Sequence, residues 1–170
     1  MKKILVANRG EIAIRVMKTA QKMGIKTVAV FSTIDRNSPH VKFADEPVCI
    51  GEATSNQSYL RGDKIIEVAK TLNVDAIHPG YGFLSENADF AELCENNDII
   101  FIGPRSKAIK IMGSKLAAKD AVKQYNIPMV PGIDKAITDV NKAKSIAKDI
   151  GFPILIKASA GGGGKGMRIV

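Results

Sequence analysis

Short, unbroken apolar runs alternate with amphipathic segments over residues 1–103, and this alternation constrains the fold more than any other feature of the sequence. The apolar runs are residues 3–7, 27–31, 47–50, 76–78 and 99–102. The helical patterns between them cover residues 11–23, 65–72 and 88–94, and Gly24 ends the first of them. Strands that are apolar throughout are buried on both faces, as in parallel sheets connected by helices. The sequence therefore predicts an α/β fold with a Rossmann-like parallel sheet covered by helices.

Polar segments follow three of these strands, and open parallel sheets bind ligands beyond the carboxyl ends of their strands. The segments are residues 8–10, 32–37 and 78–87. The first holds a single glycine, so it lacks the Gly-x-Gly-x-x-Gly pattern that places a pyrophosphate on a helix, and we do not expect NAD binding. We interpret Arg9 and the adjoining Glu11 as a structural ion pair.

Beyond Gly103 and Pro104 the pattern changes to helices separated by longer loops. Helices are predicted at residues 106–112, 115–125 and 139–150, with Ser114 as the N-cap of the second and Gly151 closing the third. A turn-rich joint lies at residues 127–132, and a strand at 154–156 leads into Lys157. This part therefore has a different organisation from the sheet that precedes it.

The net positive charge arises entirely from the second part of the chain. Lys and Arg outnumber Asp and Glu by 25 to 17, for a net charge of +8, but residues 1–103 carry −1 and residues 104–170 carry +9. Single-stranded nucleic acids are bound with aromatic side chains among the cations, and Tyr125 is the only aromatic residue between Arg105 and Gly151. We interpret the lysines of residues 104–170 as a solvated surface, and we expect no nucleic acid partner.

Cysteine usage and hydropathy indicate a cytoplasmic protein. The apolar runs are far shorter than the roughly 20 residues that cross a bilayer, so we expect no membrane association. Cys49 and Cys94 have no second Cys or His at ligand spacing, so neither a disulfide framework nor a zinc site is expected. No targeting segment is readable at the amino terminus, where Asn8 and Arg9 interrupt the first apolar run.

The strongest chemical motif is the glycine-rich segment at residues 158–166, between Lys157 and the strand-like end of the chain. Small residues let backbone N–H groups approach an anion, and Lys157 and Lys165 add the positive charge that a polyphosphate requires. It is not a Walker A loop, because Gly166 stands where that motif needs Ser or Thr. The alternative is a linker or hairpin that binds nothing.

Residues 78–87 form the second motif, a loop constrained by Pro79, Gly80 and Gly82. The residues at its end, Ser85, Glu86 and Asn87, can cap the next helix, whose N-terminus favours an anion. Taken alone, the segment is compatible with a functional loop or with a structural capping turn. A lone histidine such as His78 is more often a hydrogen-bonded structural residue than a catalyst.

Together these motifs resemble biotin carboxylase, a family of ATP-grasp ligases. The matching segments are residues 7–13, 76–87, 101–104, 112–115 and 156–168. The resemblance implies three regions. Residues 1–103 would form the amino-terminal α/β domain, or pre-ATP-grasp domain, and residues 104–130 a helical connector. Residues 131–170 would form an incomplete ATP-grasp lid subdomain that ends in the glycine-rich loop.

The resemblance also implies a reaction and its site residues. In this family ATP and bicarbonate, with Mg²⁺ or Mn²⁺, form carboxyphosphate, whose breakdown carboxylates biotin on a carrier protein. Residues placed at ATP by the resemblance are Lys115, Lys157, Gly161, Gly162, Gly163, Gly164, Lys165 and Gly166. Residues placed on the biotin and bicarbonate side are His78, Tyr81, Gly82 and Glu86. The family's metal-binding glutamates, bicarbonate-binding arginine and catalytic base match positions beyond residue 170, so no catalytic or metal-binding residue is expected here.

The resemblance therefore predicts an amino-terminal fragment or split half of a biotin carboxylase that is inactive alone. Its partners would be the remainder of the enzyme, the biotin carboxyl carrier protein and the carboxyltransferase of an acetyl-CoA, propionyl-CoA or pyruvate carboxylase. A homodimer is also implied, although Lys18 and Lys22 depart from the family pattern on the helix used for dimer contacts. The alternatives are a stand-alone, non-catalytic nucleotide-binding or interaction module of the same fold, and another ATP-grasp ligase.

Overall fold

The computed structural model describes residues 1–123, 125, 127–128, 132–133, 136–157 and 166–170. The chain divides into two compact units, residues 1–109 and residues 110–170. The three regions predicted from the sequence, with boundaries after residues 103 and 130, stay a prediction. Among the described residues, none of the helices has the length and apolar character needed to cross a bilayer.

A five-stranded parallel sheet forms the centre of the first unit. Its strands are β1 (Lys3–Val6), β2 (Lys26–Ser32), β3 (Glu46–Gly51), β4 (Ala76–His78) and β5 (Ile100–Phe101). They are arranged in the order β3-β2-β1-β4-β5, so the chain moves outward from β1 to one edge and then to the other. The predicted α/β fold with a parallel sheet is confirmed.

Four helices connect these strands, and a fifth follows β5. They are α1 (Gly10–Lys22), α2 (Pro39–Phe43), α3 (Gly62–Thr71), α4 (Ala88–Glu95) and α5 (Ser106–Gly113). Two short 3₁₀ turns, Thr33–Asp35 and Ser55–Gln57, lie on the connections beside β3. The sequence analysis did not predict α2, because five residues are too few to show a helical period.

The core lies on both faces of the sheet, and β1 shows why its strands are apolar throughout. Ile4 and Val6 pack on one face with Ala13 and Met17 of α1. Leu5 packs on the opposite face, in a cluster that includes residues of α3 and α4. Successive side chains of a strand point to opposite faces, so a sheet covered on both sides needs apolar residues at every position.

The second unit contains two helices and a hairpin among its described residues. They are α6 (Lys115–Lys123), α7 (Val140–Ile150), β6 (Leu155–Lys157) and β7 (Met167–Ile169), and β6 and β7 pair antiparallel. The Ser114 hydroxyl accepts a hydrogen bond from the Ala117 N–H at 3.3 Å, as its predicted N-cap role requires. Gly151, at φ +89°, ends α7 as predicted.

Candidate functional site

The buried side chain of Asn8 joins the end of β1 to the loop after β4. Its Nδ2 group donates to the carbonyl oxygens of Pro79 at 2.8 Å and Tyr81 at 2.9 Å. Its Oδ1 atom accepts from the Arg9 N–H at 2.9 Å. Because β1 and β4 are parallel neighbours, their carboxyl ends lie side by side, and one amide can bind both segments.

Arg9 forms a bidentate ion pair with Asp35, which follows β2. Nε donates to Oδ2 at 2.8 Å and Nη2 donates to Oδ1 at 2.6 Å. The prediction that Arg9 pairs with Glu11 is therefore wrong. The parallel pairing of β1 with β2 brings Asp35 to Arg9 across 26 residues of sequence, and adjacency along the chain does not reveal such a partner.

The Asp35 carboxylate is buried and accepts three further hydrogen bonds. The donors are the hydroxyls of Tyr59 at 2.7 Å, Ser32 at 3.1 Å and Ser38 at 3.3 Å. Hydrogen bonds from Arg9, opposed by burial, hold the pKa of the Asp35 carboxyl well below its usual range, and they raise the pKa of Arg9. Asp35 is therefore an ionised structural anchor at neutral pH, and it is unsuited to donate a proton.

Tyr59 extends this network to the loop after β4. Tyr59 as a whole is 2% exposed, and its ring stacks on the ring of Phe83, with centroids 5.2 Å apart and planes 13° apart. The Arg9 guanidinium lies 5.9 Å from the centroid of the Tyr59 ring. The sequence analysis missed both Tyr59 and Asp35. Asp35 could have been found as the one acid in the polar segment after β2.

The loop between β4 and α4 is fixed at both ends by hydrogen bonds. At its start, the Gly80 N–H donates to Nδ1 of half-buried His78 at 3.0 Å. Burial lowers the pKa of His78, so its imidazole is neutral and serves Gly80 as an acceptor. At its end, Asn87 caps α4 by accepting from the Phe90 N–H at 2.8 Å. Of the three predicted capping residues, Asn87 is the N-cap.

Gly80 is required by the space around it. It has φ +66°, and a Cβ atom there would lie 2.6 Å from Nδ2 of Asn8. The surface that the loop offers is made by Tyr81, 80% exposed, together with exposed Gly82 and Glu86. Of the four residues predicted on the substrate side, His78 thus ends β4, and Tyr81, Gly82 and Glu86 lie on the loop that follows.

In the second unit, Lys157 ends β6 and pairs with Met167 of β7. Its side chain is exposed, and Gly166, at φ +76°, stands immediately before β7. The other residues that the sequence placed at ATP lie outside the described part of the structure: residues 161–165 and the side chain of Lys115. In the sequence, the glycine-rich segment follows β6 and precedes β7.

The described residues contain no group of three or more His, Cys, Asp or Glu side chains that could hold a metal ion. Mg²⁺ binds through carboxylates and through the phosphates of a substrate.

Two family models match the chain, one in each unit. Residues 1–109 match the biotin carboxylase N-terminal domain, and residues 114–170 match the ATP binding domain of the carbamoyl-phosphate synthase L chain. The alpha subunit of mitochondrial methylcrotonoyl-CoA carboxylase from Dictyostelium discoideum is 60% identical over 99% of this chain and 24% of its own length. Biotin carboxylase from Nostoc sp. is 55% identical over 99% of this chain and 38% of its own length.

A solved structure agrees with these matches. It is the biotin carboxylase domain dimer of 2-oxoglutarate carboxylase from Hydrogenobacter thermophilus, in complex with MgADP, ADP and bicarbonate. It matches with a TM-score of 0.91 and 51% identity over 99% of this chain and 37% of that one. The chain thus spans between about a quarter and two-fifths of the length of these relatives. Since the biotin carboxylase model covers residues 1–109, well over half of the chain, the chain belongs to the biotin carboxylase family.

Proposed function

We propose that this chain provides the amino-terminal part of a biotin carboxylase, the ligase that uses ATP and bicarbonate to carboxylate biotin on a carrier protein through carboxyphosphate. The observation that carries the proposal is the match over 99% of the chain to a biotin carboxylase domain in complex with MgADP and bicarbonate. We expect the chain to be inactive alone.

The ATP side of the proposed site lies in the second unit. Lys157 is exposed beside the glycine-rich segment, and its ammonium group would offset phosphate charge. Gly166 adopts a left-handed backbone that glycine reaches without strain. We assign Lys115, Lys165 and the four glycines at 161–164 to the same ATP-binding side. When bound, ATP supplies the phosphoryl group that activates bicarbonate. Following the family resemblance, we propose that residues outside this chain ligate Mg²⁺ or Mn²⁺.

The biotin and bicarbonate side lies on the loop after β4. Tyr81, Gly82 and Glu86 are exposed there, next to half-buried His78. Asn8 holds the backbone of this loop through the carbonyls of Pro79 and Tyr81. A loop held in this way can present its exposed groups without first ordering them, which lowers the cost of binding a small substrate.

The partners follow from the same reaction. We propose the remainder of the carboxylase, the biotin carboxyl carrier protein, a carboxyltransferase and a second copy, since the Hydrogenobacter relative is a dimer. We propose a cytoplasmic location because Cys49 and Cys94 are both free thiols.

A chimera tests the proposal. This chain replaces the matching 168 residues of the Nostoc biotin carboxylase, and ADP release is measured with and without bicarbonate and free biotin. We expect ATP cleavage that needs both. Lys157→Gln is expected to raise the KM for ATP at least about tenfold because a phosphate contact is lost. Lys148→Gln, at an exposed position of α7, is the matched control.

The outcomes separate the alternatives. ATP cleavage by the chimera that ignores biotin would support another ATP-grasp ligase. An intact chimera that binds ATP without cleaving it would support a non-catalytic nucleotide-binding module. Biotin-dependent cleavage by the 170-residue chain alone would contradict the expectation that it is inactive.

A further inference from the structure

We propose that Tyr59 is a positioning residue that couples the Arg9–Asp35 ion pair to the loop after β4 and thereby holds Tyr81 and Gly82 in place. That this loop faces biotin and bicarbonate rests on the proposed function. The coupling rests on the contacts of Tyr59 itself. No substrate touches Tyr59 in this proposal, and it acts through Phe83.

The hydroxyl end of Tyr59 is locked by two hydrogen bonds. It donates to Oδ2 of Asp35 at 2.7 Å and accepts from the N–H of Ser32 at 3.1 Å. The acceptor carboxylate is itself held by Arg9 through two short bonds. Hydrogen bonds to an ionised acceptor are stronger than those between neutral groups. Because the Tyr59 hydroxyl both donates and accepts a hydrogen bond, its ring is held in one orientation.

The ring end of Tyr59 holds Phe83 in a backbone conformation that phenylalanine avoids. Phe83 has φ +42°, in the left-handed region that costs a non-glycine residue about 1–2 kcal/mol. Its ring stacks on Tyr59 at 5.2 Å, and aromatic pairs contribute about 0.5–1.5 kcal/mol beyond their buried area. The stacking energy is thus of the size needed to offset the backbone strain.

Two anchors therefore bracket the exposed part of the loop. On one side Asn8 binds the carbonyl of Tyr81 at 2.9 Å, and on the other Tyr59 stacks on Phe83. Gly82 lies between them at φ +69°, with open space around the position that a Cβ would take. Because the side chain of Tyr81 is 80% exposed, its place depends on the backbone anchors at either side.

Hydrogen exchange on the 170-residue chain tests the coupling directly. Tyr59→Phe keeps the ring and removes the hydroxyl, whereas Phe83→Leu removes the stack and leaves Asp35 untouched. We expect the amides of residues 81–86 to exchange roughly five- to tenfold faster in both variants, relative to the amides of β1. Phe83→Tyr keeps the stacked ring and is expected to retain wild-type protection. Tyr125→Phe, at an exposed tyrosine of the second unit, is the control.

Kinetics of the Nostoc chimera separate positioning from simple structural support. Loss of folded enzyme would lower kcat for every substrate and leave both KM values unchanged. We expect Tyr59→Phe and Phe83→Leu to raise the KM for biotin roughly five- to tenfold and to leave the KM for ATP unchanged. The ATP residues proposed above all lie in the second unit, so they are not expected to respond.

The proposal is overturned if both variants exchange their loop amides at the wild-type rate, or if the KM values for biotin and ATP rise together. A chimera without biotin-dependent activity would instead reject the proposed function. In that case the exchange rates of the chain alone still decide whether Tyr59 holds the loop.

Discussion

The guanidinium of Arg9 binds both oxygens of the Asp35 carboxylate, and this pair joins the segment after β1 to the segment after β2. The carboxylate is buried, whereas the side chain of Arg9 is 48% exposed. Tyr59 adds a third segment to the same carboxylate. One ionised group thus connects three segments at this edge of the sheet.

We expect Asp35→Asn to lower the free energy of unfolding by about 2 kcal/mol at pH 7, below the roughly 3–5 kcal/mol of fully buried pairs because Arg9 is half exposed. Equilibrium urea unfolding followed by circular dichroism measures the loss. Asp63→Asn is the control, since the pair of Asp63 with Arg61 is exposed, and we expect little change there. Equal losses in the two variants would contradict the buried role of Asp35.

The same carboxylate makes a prediction about acid stability. Hydrogen bonds from Arg9 lower the pKa of folded Asp35 below its unfolded value of about 3.9. Its stabilisation is therefore present above that pH and is lost as the pH falls toward the folded value. We expect the difference in unfolding free energy between the wild type and Asp35→Asn to shrink between pH 5 and pH 2. A constant difference over this range would argue against the ionised pair.

Gly80 and Gly82 offer a matched pair of substitutions in one loop. Both have a left-handed backbone, but only at Gly80 would a Cβ meet Asn8, at 2.6 Å. We expect Gly82→Ala to cost about 1 kcal/mol for the backbone alone and Gly80→Ala to cost at least about 3 kcal/mol. Thermal or urea unfolding of both variants measures the difference. Equal costs would mean that Asn8 moves away freely.

His40 predicts a loss of stability in weak acid. It is fully buried, and in the part of the chain that the structure describes neither ring nitrogen makes a hydrogen bond of good geometry. Burial lowers its pKa, against a smaller opposing effect of the Val30 backbone, and the nearby charges of Asp35 and Arg9 act in opposite directions. In the unfolded chain the imidazole has a pKa of about 6.5 and is protonated below that pH, whereas the buried imidazole of the folded chain stays neutral. The free energy of unfolding therefore falls as the pH drops below about 6.5.

We expect the unfolding free energy to fall as the pH drops from 7 to 5, by at most about 1.4 kcal/mol per pH unit for each such site. His40→Leu should remove the contribution of His40 to this pH dependence. His78→Leu should remove the contribution of His78, because burial also lowers the pKa of that histidine. Urea midpoints at pH 7.5, 6.5 and 5.5 measure both slopes. An unchanged slope in His40→Leu would show that this histidine protonates freely in the folded state.

The two cysteines are expected to differ in reactivity. Cys49 is exposed on the edge strand β3, whereas Cys94 is buried, and burial raises the pKa of the Cys94 thiol to about 12. A thiol-specific reagent at pH 8 should modify one cysteine in the native chain and two in denaturant, since the thiolate is the nucleophile. Cys49→Ser should abolish the native reaction. Rapid modification of both thiols in the native chain would contradict the buried position of Cys94.

Patterns that depend on neighbouring residues were predicted from the sequence. The alternation of apolar strands and helices indicates a parallel sheet, because only a sheet covered on both faces needs apolar residues at each position. Ser114 and Gly151 were identified as helix boundaries because capping is a local interaction. The motif residues 78–87 and 156–168 indicated the family for the same reason: their chemistry lies in one continuous segment.

Only the tertiary structure decided which distant side chains meet. The partner of Arg9 is Asp35 and not Glu11, Tyr59 stacks on Phe83, and Asn8 binds the loop after β4. Each contact joins segments that follow different strands, so it depends on strand order and register. The sequence thus determined the kind of sheet and the family to which the chain belongs. The network that supports the loop after β4 was decided by which strands lie side by side, since hydrogen bonds and ring stacking require distances that only the folded sheet creates.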